Sequence, residues 1–62
     1  MNAKTMIRES LGAVYVTQSE KDNLFYVWVQ RKGEWPDWTY AYKTEAEANE
    51  QAELTAQGFR VP

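Results

Sequence analysis

The run Leu24-Phe25-Tyr26-Val27-Trp28-Val29-Gln30 is the strongest strand signal in the chain, and it is bulky on both sides. Side chains alternate across a strand, so Phe25, Val27 and Val29 share one face while Tyr26 and Trp28 share the other. A sheet built around this segment needs cover on two faces, and the chain has few means of supplying it. It has 62 residues with neither cysteine nor histidine, so neither a disulfide nor an ordinary zinc site can staple it. A domain of this size buries only about 60% of the surface its unfolded chain exposes. Its stability must come from aromatic packing or from self-association.

The segments around this strand complete a meander. Gly12 introduces Ala13-Val14-Tyr15-Val16-Thr17, a β-branched and aromatic alternation, and the polar cluster Ser19-Glu20-Lys21-Asp22-Asn23 ends it as a turn. Arg31-Lys32-Gly33-Glu34 reads as a tight hairpin connection in which Gly33 supplies positive φ, and Trp38-Thr39-Tyr40-Ala41-Tyr42-Lys43 follows as a third strand. Pro36 has no amide donor, which places it at a bulge, a strand start or a sheet edge.

Thr44 opens a helix over 44–57. Glu47, three residues on, completes the capping-box pattern in which hydroxyl and carboxylate each satisfy an orphan amide. Ala48, Ala52, Thr55, Ala56 and later Phe59 fall on one face at about 100° per residue, and the small alanines allow the axis to lie close to a sheet. Gly58 stands where a left-handed C-cap is wanted, which would fold Phe59 back onto Leu54. Residues 58–62 form a short tail. At the other end, Ala3, Met6, Ile7 and Leu11 share a helical face with Asn2 as N-cap and Gly12 as C-cap, and a mobile arm over residues 1–11 explains the same residues.

The chain therefore reads as one α+β domain. A three-stranded antiparallel meander spans residues 13–43, with a C-terminal helix packed on one face. The stretch Tyr40-Ala41-Tyr42-Lys43-Thr44-Glu45-Ala46-Glu47-Ala48 resembles the strand-to-helix junction of three-strand-plus-helix domains such as the plant AP2 domain and the integrase arm-binding domain. The resemblance covers under a third of the chain and implies the same topology; those DNA-binding sheets are richer in arginine.

Register decides which rings meet. A two-residue turn at Lys32-Gly33 pairs Arg31 with Glu34 and sets Trp38, Tyr40 and Tyr42 beside Phe25 and Val27, under the alanine helix. One extra bulged residue near Pro36 would move all three across, beside Tyr26 and Trp28. The first register is preferred because it gathers the valines and these rings into one core. Even so, Tyr15, Tyr26 and Trp28 remain on the opposite face, where a sheet with one helix ordinarily shows polar residues. Their cover must be the segment through Met6, Ile7 and Leu11, a second copy of the chain, or a different partner.

Function is read from this imbalance. Without thiolate or imidazole there is no Cys-His or Ser-His chemistry and no proton shuttle near neutrality; Glu34 and Asp37 as an acid-base pair lack a cleft, so the chain is expected not to be an enzyme. Glu47, Glu50 and Glu53 read as a solvated helix face, since a straight helix converges too few oxygens on a hard cation. No cofactor and no metal are expected. The start of the chain lacks the pattern of a signal peptide and no apolar run is long enough to span a bilayer, so a soluble, cytoplasmic protein with no membrane partner is expected. Net charge is −2, with 7 basic against 9 acidic side chains. Residues 24–43 balance at +1, while Glu45, Glu47, Glu50 and Glu53 make the helix the acidic half.

The expected partner-binding residues are Tyr15, Tyr26 and Trp28 on the sheet, Trp35 on the loop before the third strand, and Arg31 and Lys32 at the hairpin. Tryptophan is enriched at binding hot spots. The leading expectation is a non-enzymatic protein-binding module, a small regulator or inhibitor of the kind mobile genetic elements encode, docking through the aromatic sheet face and pairing with itself as a homodimer. The alternative is a nucleic-acid-binding domain in which these rings stack on bases and Arg31 and Lys32 meet phosphates.

Overall fold

Ala48, Ala52 and Ala56 recur every four residues along one helix and lie buried against Val14, Val16, Val27 and Val29 of an antiparallel sheet. The structure, a computed structural model, describes residues 3–60. Its elements are β1 (Ala3–Glu9), β2 (Gly12–Gln18), β3 (Phe25–Arg31), β4 (Asp37–Tyr42) and α1 (Glu45–Gln57). The four strands form one antiparallel sheet in the order β1-β2-β3-β4. The α+β class and the C-terminal helix agree with the sequence reading; the strand count does not.

The extra strand is the opening segment. Residues 3–9 are neither helix nor mobile arm. They pair with β2, Ile7 opposite Val14 and Met6 opposite Tyr15. Ile7 thereby joins the helix side and packs on the core, with Phe25 and Tyr42. The proposed N-cap, Asn2, lies outside the described residues, as do Val61 and Pro62 of the tail.

One close approach and two left-handed residues fix the ends of the strands. A Cβ on Gly12 would stand 2.5 Å from the Gln30 carbonyl oxygen, so no side chain fits where β2 passes β3. Gly33 has φ +82° in the turn closed by Glu34 N–H donating to the Arg31 carbonyl at 2.9 Å. In the β2–β3 turn Asn23 takes φ 61°, a left-handed value that asparagine tolerates, and Asp22 Oδ1 accepts from Leu24 N–H at 3.0 Å. Strand β3 accordingly begins at Phe25 rather than Leu24.

The helix entry is as the sequence foretells, with one change. Thr44 Oγ1 accepts from Glu47 N–H at 3.2 Å, but the Glu47 carboxylate accepts from the Thr44 hydroxyl at 3.1 Å instead of reaching its amide. The exit differs more. Gly58 is right-handed, φ −68° and ψ −14°, and its N–H donates to Thr55. The chain leaves in a tight turn that carries Phe59 under the sheet, 8% exposed, while Leu54 stays in solvent. Phe59 does not fold onto Leu54; the core has more to offer a phenyl ring than an exposed leucine does. The Phe59 carbonyl accepts from Leu11 N–H at 3.1 Å, and Arg60 Nε donates to Glu9 Oε1 at 3.0 Å, tying the tail to the β1–β2 turn.

Candidate functional site

Among the described residues the sheet has a helix on one face only, and the other face carries a row of large side chains across all four strands. Met6, Tyr15, Trp28 and Trp38 are successive register partners. The next row holds Thr17, Tyr26 and Ala41; on the other side lies Arg8, Ala13 and Gln30. The opening segment borders this face as an edge strand and leaves it unroofed, adding Met6 and Arg8 to it.

Two register slips set the sides taken in β4, and the first of them brings Trp38 into the row. A two-residue turn would pair Val29 with Pro36, whereas Val29 pairs with Asp37: one residue is gained after the turn, which sends Trp38 to the open face opposite Trp28. A second is gained at Thr39, between the Trp28–Trp38 and Val27–Tyr40 pairs. That bulge returns Tyr40 and Tyr42 to the helix side. The Thr39 hydroxyl donates to the Val27 carbonyl at 3.4 Å, where the ladder is interrupted. The expected burial of Trp38 with Tyr40 and Tyr42 is therefore corrected: Trp38 is 52% exposed on the opposite face, and Tyr40, though on the helix side, is 63% exposed on the edge strand, so only Tyr42 packs against the core.

Internal contacts hold the rings. Trp28 Nε1–H donates to Thr17 Oγ1 at 2.8 Å, and Thr17 is only 2% exposed although it points to the open face. The planes of Tyr15 and Trp28 are within 8° of parallel, with centroids 6.2 Å apart. Tyr26 meets Trp38 edge to face at 5.5 Å. The Tyr26 hydroxyl donates to Asp22 Oδ2 at 2.7 Å, which holds the Asp22 carboxyl below its ordinary pKa, with help from the Leu24 amide, and raises the Tyr26 phenol above its own. Four aromatic residues are thus preset in position, at little further entropy loss on binding. Met6, 48% exposed, closes the row at the β1 edge.

The expected site residues separate into two groups. Tyr15, Tyr26 and Trp28 stand together on this face. Arg31 does not join them: it follows Val29 on the helix side of β3, where its guanidinium sits 5.7 Å from the centre of the Phe59 ring. Lys32 is exposed in the turn, its N–H donating to the Leu11 carbonyl at 3.0 Å. Trp35, 91% exposed, lies on the loop before β4. The sequence reading missed Trp38, Met6 and Arg8. Arg8 and Met6 carried a usable signal, their two-residue spacing, but it was outweighed by the helical spacing of Ala3, Met6 and Ile7.

Charge is distributed unevenly about this face. The exposed carboxylates Glu45, Glu47, Glu50 and Glu53 ride on α1, behind the sheet. A hollow of about 400 Å³ at the turn end is bordered by Arg8, Arg31 and Lys32, together with Glu9, which Arg60 engages. A second, of about 350 Å³, opens on the helix side between Val29, Thr55 and Phe59, with Arg31 and Asp37 at its margin. Among the described residues no three carboxylates gather into a cation site, and no helix is long and apolar enough to cross a membrane.

No family model matches the chain, and neither a curated protein nor a solved structure matches it. The likeness of residues 40–48 to the AP2 and integrase arm-binding junction rests on those residues alone, and the fourth strand departs from that topology.

Proposed function

We propose that this chain is a non-enzymatic protein-binding module that uses the open sheet face, centred on Tyr15, Trp28 and Trp38, to dock onto another polypeptide. It acts as a small regulator or inhibitor in the cytoplasm. The observation that carries this reading is the row of rings left uncovered among the described residues: the opening segment, which could have roofed it, is spent as β1 at the edge. Contiguous apolar surface rimmed by polar side chains is what protein interaction sites look like, and preset tryptophan and tyrosine rings are the residues such sites rely on. The test is capture from a lysate of the source cell by immobilised protein. A protein retained by wild type and by Glu50→Ala, and lost with Trp28→Ala, supports the reading; equal retention by all three overturns it.

A second reading, sheet-based binding of single-stranded nucleic acid, draws on the segregation of charge. The helix carboxylates face away, while Arg8 and Lys32 border the rings at one end, and aromatic platforms beside basic side chains suit stacked bases. Oligonucleotide binding that weakens steeply between low and moderate salt would favour it; no binding at low salt would remove it.

A further inference from the structure

We infer that the occupant of the open face is a second copy of this chain, packed sheet against sheet about a two-fold axis that runs in the interface, along the strands. The inference rests on the docking reading and adds the identity of the partner.

Three observations carry it. First, the area suffices for a specific but weak dimer. Four strands spaced about 4.8 Å apart and six or seven residues long make a face of roughly 400 Å². With the relief of the rings, each copy would lose on the order of 500–600 Å² of accessible surface, or about 1,000–1,200 Å² in total, the lower end of specific interfaces. Second, the relief is self-complementary. The row Met6-Tyr15-Trp28-Trp38 crosses the whole sheet, so about an axis along the strands Met6 of each copy faces Trp38 of the other and Tyr15 faces Trp28, apolar side chain against apolar side chain, as the inner faces of sandwiches do.

Third, charge selects the orientation. An axis across the strands would lay β1 on the partner's reversed β1 and send Arg8 toward a second Lys4, whereas an axis along the strands lays β1 over the partner's β4 and sends Arg8 toward the end where Asp37 stands. Sheets about 10 Å apart keep both acidic helices on the outside, separated by more than the Debye length of about 8 Å at physiological salt, so their repulsion is largely screened.

The test is sedimentation velocity from about 1 µM to about 1 mM, a range that spans the affinity expected of an interface this small. The variants Met6→Lys and Trp38→Lys alter exposed positions on edge strands, with Glu50→Ala as control and circular dichroism to verify folding. Wild type and Glu50→Ala should pass from monomer to dimer, and each lysine variant should dimerise at least tenfold more weakly. A monomeric wild type throughout overturns the second copy but leaves the face available to a different protein. A dimer indifferent to both lysine substitutions places the contact elsewhere and overturns the docking reading as well. Binding of a short oligothymidylate by a monomeric wild type, weakened by salt, would replace the dimer with the nucleic-acid reading.

Discussion

Gly12 and Gly33 are both required, for opposite reasons. At Gly12 the obstacle is space: the Gln30 carbonyl occupies the Cβ position, and backbone cannot step aside cheaply. At Gly33 nothing lies within 4 Å, and the obstacle is φ +82°. Gly12→Ala should therefore cost about 1–3 kcal/mol by local overpacking. Gly33→Val should cost about 1–3 kcal/mol through backbone strain. Gly33→Asn should be better tolerated than Gly33→Val, because asparagine visits the left-handed region. Urea titration of the variants checks the distinction; an unchanged midpoint for Gly33→Val would show that the turn is not held at positive φ. Asp22 supplies a second test at this scale. Its largest stabilising partner is the Tyr26 hydroxyl, so its folded pKa is lowered. Its contribution to stability is in place above the ordinary carboxylate value of about 3.9 and fades as pH falls through the lower folded one. In Tyr26→Phe the Asp22 pKa should climb back toward the ordinary value, as a carboxyl-carbon NMR titration would record. An unmoved titration would mean that the phenol does not bond to this carboxylate in solution.

The elements differ in how openly the sequence announces them. Helix α1 was legible from its cap and its alanines because both are local devices: Thr44 meets Glu47 whatever the rest of the chain does. Thr44→Ala should cost about 1 kcal/mol and lower the melting temperature, whereas Glu50→Ala should leave it nearly unchanged; equal melting of the two would deny the cap its role. Strand β1 was not legible, since an edge strand needs only partial cover on each side. Thr5, Ile7 and Glu9 face one way and Met6 and Arg8 the other, a pattern with no clean period of two, and pairing with β2 decided what periodicity could not. The side taken by Trp38 was hidden for a different reason. Each one-residue slip inverts every later side chain, so two slips in β4 cancel for Tyr40 and Tyr42 while stranding Trp38 between them. Turn chemistry at Gly33 points to neither slip. The three rings of the candidate site that alternation could place, Tyr15, Tyr26 and Trp28, lie on β2 and β3, whose pairing with each other runs without interruption.

At the scale of the whole molecule, the core is thin. Its largest fully buried side chains are Val14, Val16 and Val27, and the alanines that let α1 approach contribute little area of their own. The one large ring among its buried members is Phe59, which enters from beyond the helix and is anchored through its carbonyl to Leu11. At roughly 0.05–0.15 kcal/mol per residue, a chain this long has about 3–9 kcal/mol of stability in hand. Replacing a buried phenylalanine with alanine removes about 3–5 kcal/mol. Phe59→Ala should therefore consume most of the fold's stability. It should shift the urea midpoint to less than half its value or leave the chain largely unfolded at 25 °C, whereas Leu54→Ala, on the exposed side of α1, should stay within about 0.5 kcal/mol of wild type. Similar midpoints for the two variants would mean that the ring is not part of the core. The same thinness bears on the open face. A domain that buries so little by folding gains proportionally more by covering Tyr15, Trp28 and Trp38 than a larger one would. If a second copy provides that cover, the melting temperature must rise with protein concentration, since binding to the folded state alone stabilises it by mass action. The rise should vanish in Trp38→Lys and persist in Glu50→Ala.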